Sequence, residues 1–310
     1  MGRDSYRPFL VYSPPYWNGS AGIFAMHRLA NHLGQLGFDV TMGFYNLARV
    51  QLSDEALRVK PSHFFNPDDH YNLQARSKPT PQGRAVDDYI VICPETLPGN
   101  PLNAPNVVRY VMNFPAKNMH PMVAGERDFI LAYWPEYYPG FHHDLAILPE
   151  NPHLRLTGSV KPLLERSLHS CYVGKGVKLP DYFELKGTTA ITREWPASKP
   201  ELYGLLQDTR LFFTWDPLSS LNFEAVFWGA LPVFLRFQPY FDAFPNFGLA
   251  PFPYATANPV LASQSFDNLQ FHFQDYEAER QACVDRYQRL RAEELFSTMT
   301  FEKVQAHFLR

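Results

Sequence analysis

Short apolar runs alternate with helical patterns along the chain, and this order predicts an α/β protein. The run Pro8–Ser13 fits a buried strand that is ended by two prolines. Apolar residues then recur at the spacing of an amphipathic helix, at Ile23, Met26, Leu29, Ala30, Leu33 and Leu36. Gly37 is suited to cap this helix, and a second strand is expected over Asp39–Tyr45. The first part of the chain therefore predicts a βαβ unit.

Further apolar runs continue this order. Strands are predicted at Tyr89–Cys93, Asn106–Asn113, Asp128–Ala132, Ser170–Val173, Thr188–Thr192 and Leu211–Trp215. Leucines at helical spacing over Pro200–Asp208 place a helix before the last of these strands. Between Pro149 and Lys161 the composition shifts to Pro, Asn and Gly, which indicates a boundary near residue 165. We expect one domain over 1–165 and a second over 166–310.

Length and charge limit the classes of protein that remain. The 310 residues are enough for two domains of about 150 residues, each with its own core. A net charge of -3 gives no basic field, so nucleic acid is not an expected partner. The chain has neither the roughly 18 consecutive apolar residues of a membrane span nor a signal-peptide pattern. We expect a cytoplasmic protein without a transmembrane segment, for which peripheral membrane contact stays open.

The stretch Asp216–Pro232 carries the most informative chemistry. Asp216 follows the predicted strand Leu211–Trp215, and Glu224 falls near the first turn of the next helix, which is expected to end at Gly229 before an apolar strand. Both carboxylates can therefore face one ligand. A carboxylate has about four lone-pair sites and suits a vicinal diol, such as a ribose or a sugar. The alternative is that Asp216 only starts a turn and Glu224 only complements the helix dipole.

Two candidates lie in the first half of the chain. Glu95 comes directly after the apolar run Tyr89–Cys93, where α/β sites concentrate, and it is a candidate for acceptor binding or for a general base. Structural capping is the alternative for Glu95. Gly19 lies in the loop Asn18–Gly22, which can present amides to phosphate at a helix N-terminus or can be a simple turn. His27 is expected to be a solvated or hydrogen-bonded surface residue, and a catalytic role is the alternative.

A second set of candidates follows the strands of the second half. Gly174 and Lys175 follow Ser170–Val173, and a glycine beside a lysine suits a diphosphate, although a simple glycine turn is the alternative. The loop lacks the P-loop pattern, so ATP hydrolysis is not predicted. Arg193 and Trp195 follow Thr188–Thr192 and are candidates for contact with the phosphate or the base of a nucleotide.

The sequence offers little support for a metal site. His142, His143 and Asp144 are adjacent, and neighbouring residues of an extended chain rarely bind one ion, so no metal is assigned. The aromatic residues around them, Tyr133–His143, fit either domain packing or an acceptor platform. The cysteines lie far apart without a C-x-x-C pair, and we expect buried free thiols at Cys93, Cys171 and Cys283.

The order of an acid, seven residues, Glu-Ala and then Gly-Ala-Leu-Pro-Val resembles the E-x7-E segment of retaining GT-B glycosyltransferases of the family 4 type. The order from Arg193 through Trp195 to the next helix, strand and acid is similar to bacterial polysaccharide glycosyltransferases of the same group. The resemblance covers 170–235 well and 8–45 weakly. It implies two Rossmann-like domains that face each other across a cleft, with the acceptor on the side of 1–165 and the nucleotide sugar bound by 166–310. A terminal helix that crosses back to the first domain is also typical of such proteins.

The resemblance also implies roles for individual residues. Glu224 corresponds to the acid that holds the donor ribose, Asp216 to the acid against the transferred sugar, and Lys175 to the cation for the donor diphosphate. The chain departs from the pattern because the first acid is Asp. The usual glycine-rich loop is replaced by Leu218–Asn222. Ser220 lies in this loop and is counted with Gly19, Gly174 and Arg193 among the donor-binding candidates.

The implied reaction is transfer of a sugar from a UDP-, GDP- or CMP-sugar to a hydroxyl of a glycan or lipid-linked glycan, with retention and without a metal or a cofactor. The acceptor is expected to be a surface glycan. Catalysis would depend on positioning of the donor and on stabilisation of the leaving phosphate. Two alternatives stay open. One is a sugar-nucleotide epimerase of the same fold, and the other is a non-catalytic domain that binds a glycan or a partner.

Overall fold

The computed structural model describes residues 6–14, 20–44, 85–113, 122–133, 137–145, 160–172, 174, 187–192, 195–214, 216, 219–234, 280–281, 284–285, 289 and 298–309. The chain divides into two compact units, one formed by 1–150 with 290–310 and the other by 151–289. The first unit thus ends earlier than the boundary expected near residue 165, and the last part of the chain belongs to it. Each unit contains a parallel sheet with helices beside it.

The first unit contains a six-stranded parallel sheet. Its elements are β1 (Phe9–Ser13), α1 (Ala21–Gln35), β2 (Val40–Phe44), β3 (Ile90–Pro94), β4 (Val107–Val111), β5 (Phe129–Ala132) and β6 (His143–Asp144). The strand order is β2-β1-β3-β4-β5-β6, and every neighbouring pair is parallel. The βαβ unit predicted at the start of the chain is confirmed. The short strand β6 was not predicted, because its residues His143 and Asp144 have no apolar pattern.

The second unit contains a four-stranded parallel sheet. Its elements are β7 (Leu168–Tyr172), β8 (Thr189–Ile191), α2 (Lys199–Asp208), β9 (Thr209–Thr214), α3 (Leu221–Phe227) and β10 (Leu231–Phe234). The strand order is β10-β9-β7-β8. Gly229, at φ 83°, follows α3 and turns the chain into β10, as predicted for a glycine at the end of a helix. Both units therefore have the Rossmann-like combination of parallel strands and crossover helices.

The core of the first unit explains why its strands are apolar on both faces. Phe9 and Val11 face one side of β1 and pack with α1, whereas Leu10 and Tyr12 belong to a separate cluster. A parallel sheet that is covered on both faces buries successive residues, so its strands appear as continuous apolar runs.

The C-terminal helix α4 (Thr298–Phe308) completes this core. Phe301, Val304 and Phe308 are buried with β1 and α1 in the same cluster. Gln305, which is 1% exposed, accepts a hydrogen bond from Arg7 N (3.0 Å) and donates one to Arg7 O (2.7 Å). The last helix of the chain is thus joined to the segment that precedes the first strand.

No helix in the described part of the chain combines the length and the apolar character that a membrane span requires.

Candidate functional site

The strand order of the second sheet contains a topological switch point between β7 and β9. From β7 the chain crosses to β8 on one side, and it then returns to form β9 on the other side. Open α/β sheets bind ligands outside the carboxyl ends of their strands at such a point. Tyr172 and Thr214 are register partners at these ends, and Gly174 and Asp216 follow them. The two predicted site residues therefore lie side by side.

Gly174 is in direct contact with Asp216. A Cβ atom at Gly174 would lie 2.6 Å from Asp216 Oδ2 and 2.8 Å from its Cγ, and it would overlap its Cβ. Gly174 also has φ 74°, which disfavours residues with a side chain. The side chain of Asp216 thus explains why glycine is required here. A contact of Gly174 with a diphosphate stays a prediction.

Main-chain hydrogen bonds order the segment around Asp216. Its carbonyl accepts from Asn222 Nδ2 (2.9 Å) and from Ser219 N (3.3 Å), and its N–H donates to Thr214 Oγ1 (3.2 Å). Asn222 is fully buried, and Asp216 is only 7% exposed. A side-chain amide thus ties together the segment in which the resemblance leads us to expect glycines. These hydrogen bonds order the backbone at Asp216.

Ser220 is the N-cap residue of α3, but its side chain makes no capping hydrogen bond. Its carbonyl accepts from Phe223 N and Glu224 N, which starts the helix. Whether the Ser220 hydroxyl contacts a donor stays a prediction.

Glu224 forms the closest ion pair of the second unit among the described residues. Lys199 Nζ lies 2.8 Å from Glu224 Oε1 and 2.7 Å from Oε2. Glu224 is on the first turn of α3 and 5% exposed, and Lys199 is the first residue of α2. Both helices begin after the carboxyl ends of strands, so the pair lies at the same edge of the sheet as Asp216.

Lys199 is a site residue that sequence reasoning missed. The local signals, Ser198 as N-cap and Pro200 after it, indicate only the start of a helix. Lys199 meets Glu224 because α2 and α3 pack beside each other, as the stacking of Tyr203 on Trp228 at 4.8 Å shows. A link between two residues that lie 25 positions apart on different helices leaves no local pattern in the sequence.

Trp195 lies after β8 and exposes 46% of its surface. Its N–H donates to Thr192 Oγ1 (3.0 Å), and its carbonyl accepts from Thr192 N (2.8 Å). An exposed aromatic side chain on an ordered backbone fits the predicted contact with a nucleotide base, which stays a prediction.

Glu95 follows β3 in the first sheet, as predicted, and is 2% exposed. Its Oε2 accepts from Met112 N (3.0 Å), just beyond the end of β4, and its own N–H donates to Tyr110 O (3.2 Å). These contacts fit the capping alternative. Acceptor binding by Glu95 stays a prediction.

His27 is buried, in contrast to the surface position that we expected. It is 3% exposed, stacks on Phe44 at 5.7 Å, and lies with Nε2 3.0 Å from Pro14 O. A carbonyl can only accept, so Nε2 carries the proton. Burial lowers the pKa of His27 to about 4, against the opposing effect of the Pro14 hydrogen bond. The ring is therefore a neutral structural group that supports the end of β1.

Three predicted donor-binding residues, Gly19, Lys175 and Arg193, lie outside the described residues. Among the cysteines, Cys93 is a buried free thiol, and burial raises its pKa to about 12. Cys171 is free and partly exposed rather than buried, and Cys283 lies outside the described residues.

The histidines near β6 pack against the C-terminal helix. His142 Nδ1 accepts from Ile130 N (2.9 Å), and its ring contacts Phe129 and His307. Lys303 Nζ lies 3.2 Å from His143 Nε2. Within the described ranges, no group of three or more His, Cys, Asp or Glu side chains is arranged to hold a metal ion.

Comparison with known proteins finds no matching family model, no matching curated protein and no matching solved structure. The class that the fold defines is therefore a mixed α/β protein with two Rossmann-like parallel sheets.

Proposed function

We propose that this chain is a glycosyltransferase of the GT-B type. It would transfer a sugar from a nucleotide-sugar donor to a hydroxyl of a glycan or lipid-linked glycan acceptor, with retention of configuration. The observation that carries the proposal is the contact of Gly174 with Asp216 at the switch point of the second sheet, at the edge where Glu224 also lies. This is where parallel sheets bind nucleotides.

Two Rossmann-like units are the parts from which a GT-B enzyme is built, which supports the proposal at the level of the fold. A fold by itself hosts many activities. The proposal therefore depends on the two acids. Both are at least nine-tenths buried and lie at the edge where parallel sheets generally bind ligands, whereas acids that only start turns or helices are usually solvated.

In the proposed mechanism, Glu224 accepts hydrogen bonds from the ribose hydroxyls of the donor. Asp216 orients the transferred sugar and stabilises the positive charge that develops at its anomeric carbon. The acceptor oxygen forms the new bond to this carbon while the bond to phosphate breaks. The nucleotide leaves with the electron pair and takes up the acceptor's proton. Lys175 and Arg193 stabilise the negative charge on the leaving phosphate.

The proposal is tested by the transfer of label from UDP-, GDP- and CMP-sugars that carry carbon-14 in the sugar to a lipid-linked glycan acceptor. We expect Asp216→Asn and Glu224→Gln each to lower the rate by about 100-fold or more, because each removes a charge that acts on the reacting donor. Asp208→Asn is the matched control. Asp208 is an exposed acid of the same unit, paired with Lys161 at the far end of α2.

The products distinguish the proposal from its rivals. Labelled glycan supports the transferase. An altered or hydrolysed nucleotide sugar in the absence of acceptor identifies an epimerase, and binding without turnover identifies a non-catalytic domain. Unchanged transfer rates in both variants would show that the assignment of the acids is wrong.

A further inference from the structure

The ion pair of Lys199 and Glu224 is only partly saturated with hydrogen bonds. An ammonium group has three N–H donors, and a carboxylate has about four lone-pair sites. In the part of the chain that the structure describes, the Lys199 ammonium makes two hydrogen bonds, one to each oxygen of Glu224. One donor on Lys199 and about two acceptor sites on Glu224 are therefore left for a ligand.

The structure holds the Lys199 ammonium in place. Ser198 fixes the start of α2, since its hydroxyl accepts from Glu201 N (3.4 Å). Nζ lies 6.0 Å from the centre of the Tyr203 ring, which is itself stacked on Trp228. The side chain of Lys199 is 21% exposed, so water and ligands still reach it. A positioned and accessible cation of this kind costs little entropy when it binds an anion.

Stability alone is a weak reason for this pair. The desolvation of two charges often cancels their attraction, and apolar replacements of buried pairs are frequently as stable. Because the ion pair lies at the edge where parallel sheets bind ligands, recognition of a ligand explains it better than stability does. Its two members offer opposite charges to one ligand at neighbouring points.

The pair selects a particular chemistry. A free inorganic anion that approaches Lys199 is repelled by Glu224, and a neutral sugar can donate to the carboxylate but brings no negative charge to the ammonium. A nucleoside phosphate matches both, because its ribose hydroxyls donate to Glu224 and its phosphate oxygens accept from Lys199. Trp195, which precedes Lys199 on the same connection from β8, exposes an aromatic ring to the solvent.

We propose that Lys199 is a phosphate-binding residue of the donor site, which contacts the nucleoside diphosphate while Glu224 holds its ribose. This inference rests on the proposed function and deepens it, since it assigns the cation and favours a diphosphate-linked donor. In this proposal Lys199 binds the donor phosphates together with the two predicted phosphate-binding residues, Lys175 and Arg193.

The role of Lys199 is tested by calorimetric titration at a fixed salt concentration. The ligands are the nucleosides, nucleoside monophosphates and nucleoside diphosphates of uracil, guanine and cytosine. The quantity to compare is the gain in affinity from nucleoside to diphosphate. We expect Lys199→Met to reduce this gain by about tenfold to a hundredfold, because it removes a charge-assisted hydrogen bond. Lys199→Arg should keep most of the gain. Lys161→Met, which breaks the exposed pair with Asp208 in the same unit, should leave it unchanged.

The outcomes separate this inference from the proposed function. If the native protein binds a nucleotide and Lys199→Met keeps the full gain while only its melting temperature falls, the pair is a structural brace and this inference is wrong. If the native protein binds none of the compounds, the proposed function fails as well. Loss of the gain in Lys199→Met with recovery in Lys199→Arg supports a phosphate contact, since a brace would not discriminate between nucleoside and diphosphate.

Discussion

At the candidate site, the surroundings of Gly174 require a glycine at this position. Its φ of 74° and the side chain of Asp216 both exclude a Cβ atom. Asn222 has a comparable role, because its amide holds the Asp216 carbonyl from within the core. The segment that carries Asp216 is therefore ordered by main-chain and side-chain hydrogen bonds.

Gly174→Ala should lower the free energy of unfolding by about 3 kcal/mol or more, from an unfavourable φ and from overlap with Asp216. Gly187→Ala is the matched control, since Gly187 has φ 80° but no atom of the described residues lies within 4 Å of its added Cβ. This variant should lose only the part of the free energy of unfolding that comes from the unfavourable φ, about 1 to 2 kcal/mol. Urea unfolding of both variants measures the difference. Equal losses would contradict the close contact of Gly174 with Asp216.

Buried side chains join the helices to the rest of each unit. Arg166 donates to the carbonyls of Leu206 and Thr209 at the end of α2, and Arg280 donates to those of Val226 and Phe227 at the end of α3. Carbonyls at helix C-termini lack partners within the helix and carry partial negative charge, so buried guanidinium groups are suited to them. The two hydrogen bonds between the side chain of Gln305 and the backbone of Arg7 likewise attach α4 to the first unit.

Gln305→Leu tests the attachment of α4 to the first unit. It leaves the N–H and the C=O of Arg7 without their amide partner, so we expect a loss of about 2 kcal/mol in the free energy of unfolding. Gln281→Leu is the control, because its hydrogen bond to Asp285 is exposed. It should change the stability by less than about 0.5 kcal/mol. A loss of unfolding free energy as small as that of the control would show that these two hydrogen bonds do not stabilise the attachment of α4.

At the scale of the whole molecule, burial lowers the pKa values of histidines in both units. This holds for His27 and His142 in the first unit and for His169 in the second. A histidine whose folded pKa lies below its unfolded value binds protons more readily after unfolding. Its contribution to stability is therefore complete above the unfolded pKa of about 6.5 and is lost as the pH falls towards the folded value.

For His27, with a folded pKa of about 4, the free energy of unfolding should fall by about 3 kcal/mol between pH 6.5 and pH 4. His27→Gln retains a donor for Pro14 O but does not titrate, so its stability should depend less steeply on pH in this window. Urea unfolding at a series of pH values measures both slopes. Identical slopes would mean that His27 is not a buried neutral group.

The sequence by itself determined the α/β class and most of the strands, because apolar runs and helical spacing are local consequences of burial on a sheet or on one helix face. It also indicated Asp216 and Glu224 as acids at the start of loop and helix, and Gly229 as the end of α3. The ends of helices and strands and their capping residues depend on a few neighbouring positions, so these features can be predicted from the sequence.

Only the tertiary structure decided which of these residues meet. The strand order placed Gly174 against Asp216, and the packing of α2 on α3 joined Lys199 to Glu224. The burial of His27 likewise depends on residues outside its own helix. Such contacts leave no periodic pattern, because each joins residues whose separation along the chain is set by the topology rather than by the repeat of a helix or a strand.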